Sequence, residues 1–182
     1  MKKQGTLVIV ASLMIAILLS LNVSFYSQII RLRAGTFMGV EIHCTMRHYR
    51  DGELVGTSHH AGTLTTLGKN WIEDQLGDSP STDPAKWIGL SNSTDSPSAA
   101  WTVLPDEIIT DGLARAAGTY ANVGDGSWNI TKTFSVTGTN STQLVGLYHA
   151  ASGSYLVCSD EITLTNVESG DALEIEWTIT VS

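Results

Sequence analysis

Apolar and polar positions follow three patterns along the chain. The first is one long uncharged run, Thr6 to Tyr26, TLVIVASLMIAILLSLNVSFY, without Pro or Gly. A run of about 20 such residues crosses a hydrocarbon core as a helix, at about 1.5 Å rise per residue. The second is alternation with period two. Val40, Ile42, Cys44 and Met46 alternate with Glu41, His43, Thr45 and Arg47, which predicts a half-buried strand over Val40–Tyr49. Asp51-Gly52 is the favoured pair for a tight hairpin, with Leu54 to Ser58 returning. The third is helical spacing of Leu67, Trp71, Ile72, Gln75 and Leu76, stopped by Gly77. It predicts one short helix over Gly68–Leu76, with Trp71 and Leu76 packed on a sheet.

Further strands follow in order. Trp87-Ile88-Gly89-Leu90 is a short apolar strand between two Ser/Pro-rich loops, Asp78–Pro84 and Ser91–Ala99. Leu113–Tyr120, LARAAGTY, reads as a strand because Gly112 and Gly118 oppose a helix; Asp106–Ile109 has no clear pattern. From Ser127 the pattern is β, opening on an alternating run with Trp128, Ile130, Lys132 and Phe134. SWNITKTFSV, LVGLY (Leu144–Tyr148), YLVCS (Tyr155–Ser159) and Glu161–Leu164 are strands separated by Gly/Ser turns. In Ala172–Val181, Leu173, Ile175, Trp177, Ile179 and Val181 share one face, against Glu174, Glu176, Thr178 and Thr180. Short strands separated by such turns predict a mainly β fold, an antiparallel β-sandwich with one short helix, behind a long N-terminal hydrophobic helix. The expected division is residues 1–34 as basic segment and helix, and residues 35–182 as one extracytoplasmic sandwich domain.

Charge changes the picture of partners. After Ala34 there are six basic against eighteen acidic residues, a net −12. Polyphosphate binding needs a basic patch, so nucleic acid is not an expected partner. The even pair Cys44 and Cys158 invites one disulfide in an oxidising compartment, closing a long loop worth about 4–5 kcal/mol; two buried free thiols are the other reading. Asn92, Asn129 and Asn140 each begin an Asn-x-Ser/Thr acceptor for N-glycosylation, as expected of an extracellular glycoprotein.

Candidate chemistry is sparse. His43, His48, His59 and His60 invite a metal reading, but alternation sends His43 and His48 to opposite faces, and His59-His60 fall in a turn-like segment. Asp78, Asp83 and Asp125 follow no calcium-loop spacing. No Ser sits in Gly-x-Ser-x-Gly, no glycine-rich phosphate loop occurs, and His149 is near Ser152 in sequence alone. The neighbours Asp106/Glu107 and Asp160/Glu161 point to opposite sides of an extended chain and make no carboxylate pair. Trp101, Trp128 and Tyr148 would suit a sugar-binding surface, or core and rim. The expectation is no enzyme, no cofactor and no metal.

Three readings of the N-terminus stay open. Lys2-Lys3 before the apolar run suits a secretory signal, although the run exceeds the usual h-region and no good Ala-x-Ala site follows. Retained, Thr6–Tyr26 is a membrane anchor; Arg31 and Arg33 behind it leave orientation weakly marked. The basic segment Lys2-Lys3-Gln4-Gly5 also resembles an archaeal type IV pilin leader, which implies cleavage after Gly5 and a helix packed in a filament core.

The body carries a second resemblance. GKNWIEDQLG, WIGLSN with its Ser/Pro loop, LARAAGTY, ITKTFSV, QLVGLYHAASGSYLVCSD and GDALEIEWTITVS occur in that order between Leu67 and Ser182. Together they resemble a β-sandwich module of bacteriophage tail and tail-fibre proteins. That likeness implies a structural role without catalytic residues. The membrane-type leader departs from tail components and points to a cell-surface use. The combined expectation is a non-enzymatic structural or adhesive cell-surface protein, pilin-like or filament-forming. The alternatives are a monomeric anchored ectodomain that binds carbohydrate or protein, and a virus tail-like structural protein.

Overall fold

Alternation buries one face of each long strand, and in the structure those faces close on one core. The structure is a computed structural model that describes residues 39–77 and 83–182. The expected helix Thr6–Tyr26, the Gly5 cleavage point, the segment 1–34 and Asp78 lie outside the described residues. Among the described residues no helix is long and apolar enough to cross a membrane. Residues 39–182 form one compact unit.

In β1 (Val40–Arg50), Ile42, Cys44 and Met46 turn inward; in β10 (Ala172–Val181), Leu173, Ile175, Trp177 and Ile179 do the same. Each such large side chain contributes about 1.5–3 kcal/mol on burial. The two strands pair antiparallel from Val40↔Val181 to Tyr49↔Ala172, so the two ends of this unit are zipped together. Asp51 and Gly52, both at positive φ, turn β1 into β2 (Glu53–Ala61), as the Asp-Gly pair predicts. The first sheet is completed by β7 (Ser127–Ser135) on the far side of β10 and β6 (Thr119–Gly124) at the edge, in the order β2-β1-β10-β7-β6.

The second sheet runs β3-β9-β8-β4-β5, also antiparallel. Its strands are β3 (Thr63–Leu64), β4 (Trp87–Ser91), β5 (Ala116–Ala117), β8 (Asn140–Tyr148) and β9 (Leu156–Val167). Ile88, Leu90, Val145, Leu147, Cys158 and Ile162 from this sheet share one buried cluster with the inward face of the first. The expected two-layer antiparallel fold is present.

Three local readings change. The stretch LARAAGTY is not one strand: Gly118 splits it, sending β5 to the second sheet and β6 to the first. The switch needs a bare backbone, because a Cβ at Gly118 would lie 2.7 Å from Ile130 Cγ2. Tyr155–Ser159 and Glu161–Leu164 merge into β9, and Asp106–Ile109 holds only one bridge, Ser91↔Glu107.

The helix, α1 (Thr66–Leu76), starts two residues earlier than Gly68 because Thr65 caps it. Its Oγ1 accepts from the Gly68 N–H at 2.9 Å and donates to the Leu156 carbonyl at 2.6 Å. Gly68 rests on β9 so closely that a Cβ there would lie 2.0 Å from the Val157 carbonyl oxygen. Leu76 is not packed on a sheet but 66 % exposed. It lies five residues, about 140° of helix rotation, from Trp71, whose half-buried ring stacks on His149. We predict that Thr65→Val, which keeps shape but loses both bonds, destabilises the protein by about 2 kcal/mol in urea unfolding. A loss below about 0.5 kcal/mol would show that the cap is dispensable.

Candidate functional site

The histidines divide between two environments. His59 and His60 lie in β2 rather than in a turn, and the β1–β2 register sets Thr45 opposite His59. The His43 and His59 rings stack at 5.3 Å, and Thr45 Oγ1 meets His59 Nδ1 at 2.8 Å. His48 faces the other way, as alternation predicts, and is buried with its Nε2 2.8 Å from Asp171 Oδ2. Among the described residues no three His, Cys, Asp or Glu side chains converge as metal ligands. Asp125 sits in the exposed turn between β6 and β7. The His149 ring packs against Trp71 and, edge-on at 4.8 Å, against Tyr155; burial lowers its pKa.

Cys44 on β1 and Cys158 on β9 are both fully buried in the same cluster, one from each sheet. The structure holds them as free thiols. Burial raises both thiol pKa values, Cys44 well above its ordinary range, and so suppresses the nucleophilic thiolate.

The glycosylation candidates differ in access. Asn92 is exposed in the loop after β4. Asn140 begins β8 with both ends of its amide engaged: Nδ2 donates to Asp111 Oδ2 and Oδ1 accepts from the Ser141 N–H, each at 2.9 Å. Asn129 lies inside β7, between β10 and β6, with its side-chain oxygen buried. The three aromatic candidates do not form a sugar-binding platform. Tyr148 is fully buried; Trp101 packs beside it, while Trp128 packs against the main core.

Two polar networks went unpredicted. Arg115 donates to both Glu107 carboxylate oxygens, at 2.8 and 2.6 Å, and its guanidinium lies 3.4 Å from the Tyr148 ring centroid. Tyr148 Oη donates to Glu107 at 3.2 Å and accepts from the Leu104 N–H at 2.9 Å. The second network joins Arg50, His48 and the Glu168 N–H to the Asp171 carboxylate. The hydrogen bonds from Arg50 above all hold that carboxyl well below its usual range. Both networks fasten loops to strands; neither places a nucleophile beside a base.

Open space occurs elsewhere. One cleft of about 450 Å³ is lined by Asn92, Asp106, Glu107, Ile109 and Asn140. A second, of about 510 Å³, lies beside β9. There β8 and β9 pair at Leu144↔Glu161 and again at Thr142↔Thr165, so Ile162–Leu164 oppose Gln143 alone. Such a bulge bends the strand away from its partner. On the other side, β3 pairs β9 only at Cys158 and Ser159. Asp160 turns inward and is 4 % exposed, whereas Glu161 is exposed, as adjacent residues of an extended chain predict. The Asp160 carboxylate receives the Glu161 N–H, but its Oδ2 is buried and accepts no hydrogen bond. Burial raises the carboxyl to about 6, against the opposing pull of His60 and His43.

Comparison with protein-family models finds no match, and comparison with curated protein sequences finds none either.

Proposed function

We propose that this protein is a non-enzymatic structural or adhesive cell-surface subunit, held by the hydrophobic helix Thr6–Tyr26, whose sandwich faces outside and assembles with further copies of itself. The observation that carries the reading is the edge of the first sheet. All six residues of β6, TYANVG, are exposed and uncharged, with Tyr120 61 % and Val123 53 % exposed. Among the described residues no strand pairs its outer side. Soluble monomers usually blunt such edges with charge, and an open edge accepts a neighbouring strand. At the opposite edge, β2 is largely exposed too, with Leu54 and Val55 each 55 % exposed. Two different edges joined head to tail make a heterologous contact, which builds a filament wherever the rotation between copies does not close into a ring. The structural role implied by the likeness to phage tail sandwiches, and the acidic body, agree with this use.

The test is the N-terminal sequence and intact mass of the protein from its native cell surface, with electron microscopy of the same material. Filaments built from chains that begin at Thr6 support the pilin-like form. In those filaments Tyr120→Lys should reduce assembly strongly, because it places a charge on the open edge. Monomeric particles that begin at Met1 would leave an anchored binding ectodomain, and a start near Ala34 would leave a secreted domain; either overturns the filament reading.

A further inference from the structure

Cys44 and Cys158 are the only cysteines of the chain, and they lie on different sheets. The topology brings them to one corner. Strand β2 ends at Ala61 opposite His43, Gly62 crosses, and β3 begins at Thr63 opposite Ser159. Cys44 follows His43 on β1 and pairs with His60; Cys158 precedes Ser159 on β9 and pairs with Leu64. A single residue thus joins the two sheets beside both cysteines. The corner is tight. The Gly62 N–H donates to the Ile42 carbonyl at 2.8 Å, and a Cβ on Gly62 would lie 2.8 Å from Cζ3 of Trp177, the residue opposite Cys44 on β10. Stacked sheets usually stand about 10 Å apart. Here β1 and β9 approach within 8 Å between Cα atoms, close to the span of about 4.4–6.8 Å that a disulfide bridges. Both side chains are completely buried in one cluster. After burial and Asp160, Cys158 is the next group that raises the Cys44 pKa, so the two thiols lie within electrostatic reach of each other.

Two other uses of such a pair do not fit. A metal ion would need at least three converging ligands, which the described residues do not provide. A reactive thiol needs exposure and a stabilised thiolate, and here burial and the Asp160 carboxylate oppose the thiolate at both positions. We propose that the exported domain carries a Cys44–Cys158 disulfide between its two sheets, closed by exchange while the chain folds. The oxidant is a disulfide, RSSR. One cysteine thiolate attacks it and releases RS⁻; the second attacks the mixed disulfide and releases the other RS⁻. The two protein thiols are oxidised to one S–S bond, the oxidant is reduced to two thiols, and these take up the two protons. The exchange belongs to folding because the closed core hides both sulfurs, and once formed the bond is shielded from reductants by the same burial. For its oxidant the proposal rests on the outside placement proposed above; the fit of the bond at the corner does not.

The test has two arms. In the first, the full chain in detergent micelles is unfolded in guanidinium and refolded, once with glutathione disulfide and once with excess reductant. Free thiols are then alkylated in denaturant and the intact mass is measured. With only two cysteines present, a monomer that takes no alkyl group and is lighter by two hydrogen atoms holds this bond and no other. Thermal unfolding of the two forms reports the fit: the oxidised monomer should melt about 10 °C higher, because the bond closes a very long loop. In the second arm, protein from the native cell surface is alkylated directly in denaturant and should take no alkyl group. An oxidised form that melts at or below the reduced one, glutathione adducts in place of the bond, or native protein with both thiols alkylated would overturn the proposal. In the last case the first arm shows which part failed. A bond that stabilises after refolding puts the fault in the outside placement, and one that destabilises puts it in the geometry of the corner. Both arms compare redox forms of the same chain, so no variant that folds poorly can blur the result.

Discussion

Glu107→Gln lowers the thermal unfolding midpoint by about 10 °C, from a loss of about 3–4 kcal/mol. The magnitude follows from what is left behind. The Arg115 side chain is 8 % exposed and that of Glu107 13 %, so their two-bond pair sits almost out of water. Neutralising Glu107 leaves the guanidinium with no counter-charge: it keeps one amide oxygen in place of the carboxylate, the carbonyls of Ala150 and Gly153 at 3.3 and 3.1 Å, and the Tyr148 ring. A stranded buried charge is far worse than a missing pair. The double variant Glu107→Gln/Arg115→Met should therefore recover part of the loss that the single variant suffers. The network also has a mechanical role. Glu107 lies in the long connection between β4 and β5, and Arg115 just before β5. Through Tyr148 both are tied to β8, and through Arg115 to the turn before β9. The measurement is calorimetry of wild type, both singles and the double. A single-variant loss under about 1 kcal/mol, or a double no better than the single, would show that solvent reaches the pair and screens it.

That network marks where the sequence stops being readable. Strands β1 and β10 were legible because one face of each is buried over several successive pairs, and period two then writes itself into residue choice. The hairpin turn was legible because only a few residues tolerate positive φ in succession. Arg115 and Glu107 obey neither rule. They lie eight residues apart in irregular chain, and only the close passage of Tyr148 beneath them gives them a common partner. LARAAGTY misled for a related reason: Gly118 marks a change of sheet, and a sheet change has no periodicity. The two parts of β9 merged because Asp160, a charged residue turned inward, interrupts the apolar pattern but not the pairing, which runs on through Val145↔Asp160 and Leu144↔Glu161. The bulge at Ile162–Leu164 hid the cleft beside β9. Alternation correctly sent Asp160 and Glu161 to opposite sides, yet nothing local shows that Asp160 Oδ2 lacks a partner. The exposed β6 edge was equally hidden, because edge or centre is decided by which strands pair, a property of the whole topology.

Asp171→Asn costs about 3 kcal/mol at pH 7, and the cost shrinks in acid. The carboxylate closes the turn between β9 and β10 by accepting from four donors. Arg50 Nε and Nη2 reach it at 3.0 and 2.8 Å, His48 Nε2 at 2.8 Å, and the Glu168 N–H at 3.0 Å. An asparagine keeps one acceptor oxygen but turns an NH₂ group, itself a donor, toward the others. Hydrogen bonds to a charged group are worth more than neutral ones, so the loss is not shared evenly. The sign of the pH effect comes from the carboxyl itself. Its folded pKa is depressed below the ordinary 3.8, chiefly by the bonds from Arg50. Its stabilisation is thus complete above 3.8 and is lost as the pH falls toward the folded value. Between pH 4 and pH 3 the gap between wild type and variant should narrow by about 1 kcal/mol. Asp160 acts in the opposite sense. Its folded pKa is raised to about 6 by burial, so it weakens the fold above that pH and stops doing so as the pH falls toward 3.8. Because both proteins keep Asp160, its effect cancels in the difference, as do those of the other carboxylates. Urea unfolding of both proteins from pH 7 to pH 3 decides the matter. A gap that stays constant across that range would mean that Asp171 is not held by its charge, and that the clamp at this turn owes its strength to shape alone.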